Sequence, residues 1–531
     1  MLDGGGAGFG KGFGDGGVHF GVASAGWEIR LDDSQLFGFL FGEIVAVAFG
    51  ELVDRFLALL HERLQELDGF GFVELAELLG FFVGDGGLDH AEDAETELVF
   101  GAHGVGEVFL DLFSESHGKE FNTENAEVTE NTEVTGGTEN TRTEYDAADM
   151  SARYDVAVVG AGVFGAWTAW HLARRGRRVL LADAYGPGNA RASSAGESRI
   201  IRMGYGADEL YTRWSQRSLA QWKKFFAATG QSLFHETGVL WLAGKDDARV
   251  RQTSETLRRC DVPLQEFSRA ELERRYPQIG LDGIGMGLLE PQSGVLMARR
   301  SVAEVVEDAV RAGVEYRVAQ IAEPREAGRI SGVTTTSGER IEAEQVVFAC
   351  GAWLGKIFPE VLGSRIFPSR QEVFFFGVPA GDARFAPPAL PTWLFQEDEI
   401  YGMPDLESRG LKIAVDRHGA HVDPDTQSRV VSVEGADEAR RFVEHRFPAL
   451  RGAPIVETRV CQYENTSNGD FLIDRHPEME NVWFVGGGSG HGFKHGPAVG
   501  EYVAGRILGG ATEEARFSLG SKKTVQKRAV F

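Results

Sequence analysis

The feature that most limits how this chain can fold is the run from Asp155 to Asp183. Asp155–Val159 (DVAVV) is a short β-branched apolar stretch expected to form a strand, and Gly160-Ala161-Gly162-Val163-Phe164-Gly165 follows it directly. Ala166–Arg175 reads as a helix closed by Gly176, and Val179–Ala182 as a second strand ending in Asp183. Strand, glycine loop, helix, strand and acid is the order of a dinucleotide-binding βαβ unit. Each part has a physical task. Gly160 permits a tight turn, Gly162 lets the backbone approach a pyrophosphate, and Gly165 lets the helix pack closely on the sheet. The helix N-terminus supplies amide donors and a positive dipole for the phosphates. Asp183 is placed to accept hydrogen bonds from a ribose hydroxyl. A glycine motif alone is weak evidence, but with both strands, the helix and the acid around it an adenine dinucleotide site is expected.

This fingerprint does not choose between FAD and a nicotinamide cofactor. A second unit near the other end of the chain does. Asn481–Val485 (NVWFV) has the pattern of a buried strand and runs into Gly486-Gly487-Gly488-Ser489-Gly490-His491-Gly492-Phe493-Lys494, after which a helix is expected to about Leu508. Two strand–glycine–helix units so far apart suit one long cofactor gripped by both ends of the chain. FAD fits that better than NAD. The plainer reading of the second unit is a loop at a sheet edge.

Charge divides the chain. Residues 1–149 hold 31 acidic and 6 basic side chains, accounting for the whole net charge of −25, while the remaining 382 residues hold 48 of each. The first segment is rich in Gly and Phe and contains no Pro or Cys. Gly4–Gly17 is expected to be flexible, Glu51–Leu67 to form an amphipathic helix, and the Thr/Asn/Glu-rich stretch Ser114–Asp149 to be a disordered linker. The segment reads as an atypical acidic extension, either an accessory partner-binding module or an upstream addition preceding a folded enzyme that begins near Met150.

The balanced remainder has no electrostatic footprint for nucleic acid. Cys260, Cys350 and Cys461 are widely spaced and odd in number, which fits neither a disulfide framework nor a zinc motif. No metal site is expected. The most apolar run, Leu36–Gly50, is too short for a membrane helix and contains Glu43. With no signal peptide or peroxisomal address read, a cytoplasmic location and a monomer are the expectations.

From about Arg153 to Ser518 the chain resembles the monomeric sarcosine oxidase group of FAD-dependent amine oxidases. The residues that carry the resemblance are GAGVFG at 160–165, ESRIIRMGY at 197–205, ETGVLWL at 236–242, CGAW at 350–353, GLKIA at 410–414, CQY at 461–463, DFLIDRHP at 470–477 and SGHGFKHGPAVGE at 489–501. None lies in residues 1–149. The resemblance implies an α/β protein: an FAD-binding Rossmann-like domain of the glutathione-reductase type, plus an inserted α+β substrate domain with a mixed sheet. It places the FAD-binding domain at 153–235, 293–365 and 468–515, and the substrate domain at 236–292 and 366–467. It further implies oxidation of a C–N bond in an amino acid, with hydride passing to the flavin and O2 becoming hydrogen peroxide.

Residue by residue, the resemblance makes Cys461 a covalent tether to the flavin, although an isolated cysteine is more commonly a buried free thiol. It sets Arg199 against the flavin and gives Arg202 and Lys494 the substrate carboxylate, suited to a guanidinium fork and a point charge. Spaced three apart, Arg199 and Arg202 would face one region from a helical or turn-like segment. Lys412 matches a lysine that activates oxygen; the plainer reading is a strand residue facing solvent. Tyr401 and Tyr463 match pocket tyrosines, and Gly490, Gly492, Phe493 and Lys494 approach the flavin. One departure stands out. Four residues after the lysine the sarcosine enzymes carry a histidine, where this chain has Asp416; an acid there favours a substrate with an additional cationic group. The partners expected are a small amino acid and O2. Pipecolate, saccharopine or fructosyl amino acids are alternative substrates. A dehydrogenase with another electron acceptor and a non-enzymatic flavin-binding partner protein are the competing functions.

Overall fold

The computed structural model describes residues 9–14, 17–22, 27–31 and 153–526. In the N-terminal unit, Phe9–Gly14, Gly17–Val22 and Trp27–Leu31 pair antiparallel in chain order. Part of the glycine-rich stretch read as flexible is therefore paired strand. The helix expected at Glu51–Leu67 and the linker at Ser114–Asp149 lie outside the described residues. Residues 153–526 belong to a separate unit, described next by itself.

Its first sheet is built on the predicted βαβ run. Strand β1 (Tyr154–Val159) leads into helix α1 (Val163–Ala173) and strand β2 (Val179–Asp183), all three almost wholly apolar and buried. Side chains that are apolar on both faces suit central strands of a parallel sheet covered on both sides. β2 and β1 pair in parallel with each other, and β1 in turn with β3 (Arg340–Phe348). On the far side of β3 lies the parallel strand from the second glycine unit, Val482–Gly486. Glu315–Val318 and Leu472–Arg475 form the two edges. Ridges of α1 meet the C-terminal helix Gly496–Ile507 and the helix Ala298–Arg311, so sequence ends far apart close over one layer.

The second sheet has eight strands and is mixed. It contains β4 (Phe367–Phe376), β5 (Ile400–Met403), β6 (Leu411–Val415) and β7 (Ile455–Asn465), with β7 at one edge. Seven pairings frame it, and only that of Thr392–Phe395 with Val239–Ala243 is parallel. All its strands fall within 236–292 and 366–467. One face packs on an aromatic cluster with Trp393, Phe395, Phe442 and Phe447. The long strand β7 carries Cys461 to Glu464 from this sheet toward the glycine loops of the first. That crossing creates the site.

Candidate active site

A cavity of about 450 Å³ lies along the C-terminal ends of β1, β2 and β3. At one end it is walled by Asp183, Tyr185 and Trp353, at the other by Arg199, Tyr463 and Phe493. Open α/β sheets bind ligands in this position, beyond the carboxyl ends of their strands.

The glycine turn is fixed by sterics. Gly160 has φ +102°, and a Cβ there would stand 2.4 Å from the carbonyl oxygen of Ala349. A Cβ on Gly165 would stand 1.8 Å from the carbonyl oxygen of Gly160, which is why the helix can sit directly on the turn. Gly162 caps α1, and the Val163 amide donates to Ser194 Oγ at 3.0 Å. Asp183 accepts from the amides of Ala161, Tyr185 and Gly186 at 2.7–3.0 Å. Its carboxylate thus holds the shape of the loop as well as facing the cavity, and burial raises its pKa. Gly160, Gly162, Asp183, Arg199, Tyr463, Gly490, Gly492 and Phe493 all line the cavity; Gly165 instead serves the packing behind it.

Of the four cationic residues expected at the site, Arg199 alone lines the cavity, and Arg202, Lys412 and Lys494 take separate stations outside its lining, as does Cys461. Arg199 opens a three-residue strand, Arg199–Ile201, and Arg202 follows it, so the segment is extended and not helical or turn-like as expected. Residues three apart on an extended segment point to opposite sides. Arg199 accordingly turns to the cavity, donating to the carbonyls of Ser193 and Ala195 at 2.8 and 2.6 Å, with its Nη2 3.4 Å from Cys461 Sγ. Arg202 turns inward, between the rings of Tyr205 (4.7 Å) and Trp241 (4.8 Å).

Lys412, on β6, is 3% exposed, so its strand alternation does not turn it to solvent. Its Nζ donates to the carbonyl and hydroxyl oxygens of Ser198 at 2.8 and 3.0 Å. Burial, then the positive charge of Arg199, holds the amine well below the ordinary lysine value. Lys494 donates to Tyr205 Oη at 2.9 Å and is likewise held well below that value by burial and by Arg202. Asp416 accepts from Tyr463 Oη at 3.1 Å. Burial raises its pKa, while Arg202, Tyr463 and Lys494 pull it down. Tyr401, hydrogen-bonded to Tyr463, is pushed up to about 12 by burial and the charge of Asp416. Arg202, Lys494 and Asp416 thus lie within electrostatic reach of one another, with no direct ion pair between Asp416 and either cation.

Sequence reasoning missed Ser198, which seats Lys412; Glu290, which accepts from the amides of Met203 and Gly204 and the Trp241 indole; and Glu464, which lines the cavity. Single polar residues in apolar surroundings carry no spacing signal. His491 spans Tyr205 and the Gly469 carbonyl, a bracing role. Among the described residues no group of three or more His, Cys, Asp or Glu is placed to hold a metal ion, and no helix is long and apolar enough to cross a membrane.

The cavity fits an extended dinucleotide: a phosphate-sized glycine turn at a helix N-terminus, an acid beyond it, and a cation beside a thiol at the other end. This fold and site define a flavoprotein oxidoreductase. The chain belongs to the FAD dependent oxidoreductase family, whose model matches residues 155–506. It is 31% identical over 393 residues to a monomeric sarcosine oxidase of Bacillus sp. (strain B-0618), covering 72% of this chain and all of that one. The peroxisomal sarcosine oxidase of Homo sapiens is 31% identical over 66% of this chain and 91% of its own. An N-methyl-L-tryptophan oxidase of Salmonella arizonae is 28% identical over 66% and 94%. Among solved structures, the L-proline dehydrogenase from P. horikoshii superimposes with a TM-score of 0.61 at 23% identity, covering 69% of this chain and 97% of that one. The glycine oxidase from Geobacillus kaustophilus gives 0.58 at 23%, over 69% and 98%. The α/β fold with a mixed second sheet is thereby established.

Proposed function

We propose that this chain is an oxidase of secondary amino acids, N-methylated or cyclic, that passes the electrons to O2. The observation that carries the reading is the buried trio Arg202, Lys494 and Lys412 gathered around Ser198–Tyr205, the segment that holds Arg199 at the cavity. Buried cations without ion-pair partners are costly unless a ligand supplies the countercharge. A substrate carboxylate between Arg202 and Lys494 supplies it and fixes the amine end of the molecule. FAD, when bound, supplies the two-electron acceptor for C–N oxidation. Arg199 and Cys461 hold its ring end, and the Gly160 turn its pyrophosphate.

Lys412 acts on the second half of the cycle. Seated on Ser198 and buried, its protonated form presents a positive charge where reduced oxygen gains electrons, in a site of low dielectric. Asp416 tunes the substrate. Joined to Tyr463 and facing Arg202 and Lys494, it adds an acceptor for a second cationic group on an amino acid whose carboxylate those two residues hold.

The test is anaerobic flavin bleaching with sarcosine, N-methyl amino acids, pipecolate, saccharopine and fructosyl amino acids, followed by peroxide yield in air. One peroxide per substrate from a secondary amino acid is expected, with Asp416→His shifting preference away from substrates bearing an extra cation. Bleaching by none of the panel, or bleaching without peroxide, would overturn the reading.

A further inference from the structure

Glu464 follows three residues after Cys461 on β7 and is 8% exposed, yet lines the cavity. Its Oε1 accepts from the Gly488 amide at 3.1 Å, and Oε2 has no hydrogen-bonding partner among the described residues. The carboxyl is wedged between two glycine loops. A Cβ on Gly351 would stand 2.9 Å from Oε2, and one on Gly488 3.0 Å from Oε1.

Its place along the cavity follows from its neighbours. Toward the flavin-ring end, about 10 Å of strand separates it from Cys461, whose Sγ meets Arg199; the two side chains leave opposite faces of β7, and Gln462 and Tyr463 between them line the cavity together with Glu464. Toward the other end, Gly351 lies two residues beyond Ala349, whose carbonyl touches the Gly160 turn. Glu464 therefore stands between the stations for ring and pyrophosphate, where the ribityl chain of a flavin dinucleotide must run.

We propose that Glu464 binds the cofactor by hydrogen bonding a ribityl hydroxyl. The chemistry of the site narrows the partner to a hydroxyl. Among the described residues no cation pairs with this carboxyl: its state is set by burial and, in the other direction, by the Gly488 amide. Burial pushes Glu464 up to about 7, so both protonation states are accessible near neutrality. A hydroxyl donates to the carboxylate and accepts from the acid, whereas an amide donor or a carbonyl acceptor serves only one state. A buried carboxyl oxygen left without a partner is costly, and the cofactor removes that cost.

The test uses the full chain carrying Cys461→Ser, so that flavin exchanges freely, depleted of flavin and titrated by fluorescence. The ligands are FAD and its 2′-, 3′- and 4′-deoxyribityl analogues. Glu464→Ala should weaken FAD binding about tenfold or more, Glu464→Gln less than threefold, as expected for loss and retention of one hydrogen bond to an ionisable group. One deoxy analogue should bind the parent and the Glu464→Ala protein equally. Equal FAD affinity in parent and Glu464→Ala, or the same loss for every analogue, would overturn the proposal; the second result would make Glu464 only a brace for Gly488. If Glu464→Ala does not fold, the parent alone decides, since none of the three analogues losing affinity is equally fatal. Binding is read without substrate or oxygen, so this outcome is separate from that of the oxidase reading.

Discussion

Replacing Lys412 by Met keeps the length of the side chain and removes only the charge and its hydrogen bonds. Ser198 loses a donor to its carbonyl, but Arg199 Nη1 also donates there at 2.8 Å, so the segment stays seated. A unit charge acting on another across roughly 6–7 Å at an effective dielectric near 20 is worth about 2.5 kcal/mol. Lost from the transition state of oxygen reduction, that slows flavin reoxidation roughly 70-fold. Flavin reduction by substrate spreads its negative charge over the flavin ring instead of concentrating it on a small oxygen anion, and should change less than about fivefold. Stopped-flow spectroscopy separates the two half-reactions. The pH profile adds a second reading. Since burial and Arg199 hold the Lys412 amine well below 10.5, its charge is present at low pH and lost as pH rises through that lowered value. The reoxidation rate should therefore fall with rising pH, with a midpoint below 10.5, and Lys412→Met should flatten the step. Stability moves in the opposite sense. The folded state binds fewer protons at this position than the unfolded one, so the lysine lowers stability at neutral pH and its removal should not lower the melting temperature. Equal slowing of both half-reactions, or an unchanged pH step, would refute the assignment.

The other predictions concern the cofactor turn, the tether and the carboxylate. Gly165→Ala forces a methyl into the Gly160 carbonyl and should cost about 1–3 kcal/mol or more, seen as a lower melting temperature and purification without flavin. With Cys461 intact, flavin should stay with acid-denatured protein, and Cys461→Ser should release it; flavin freed from the unmutated chain would show that no bond forms. Arg202→Gln should lower kcat/KM roughly 30- to 1000-fold for carboxylate-bearing substrates, with KM carrying more of the change than kcat, consistent with about 2–4 kcal/mol for a buried charge partner. Lys494→Met should do less, about tenfold, because an ammonium meets a carboxylate as a point charge whereas the guanidinium holds it in two bonds. Steady-state kinetics over pH 6–9 reads both.

What could be read in advance depended on whether a residue's task is local or long-range. The turn at Gly160–Gly165 is written in consecutive residues, since strand ending, glycine sterics and helix start are short-range constraints, and the observed β1, α1 and β2 fall within three residues of the expected ends. Arg199 and Arg202 show the opposite case. Their spacing was compatible with a shared helical face, and only pairing with Gly294–Leu296 makes the segment extended and sends them to opposite sides. Lys412 had the alternation of a half-exposed strand, yet its exposed side is closed by Ser198, more than two hundred residues away. Glu464 is the sharpest instance. In sequence it is one acid between Tyr463 and Asn465, and a lone acid on a strand normally faces water. Two loops that follow different strands of the other sheet, at Gly351 and Gly488, remove that water and leave a carboxyl oxygen without a partner. No periodicity encodes such a junction, because each loop is shaped by its own strand and helix. The chemistry of the site is thus distributed in the manner of the cofactor it suits: phosphate recognition is local and legible, whereas the groups meeting the ribityl chain, ring and substrate are assembled only when β7 crosses between the sheets.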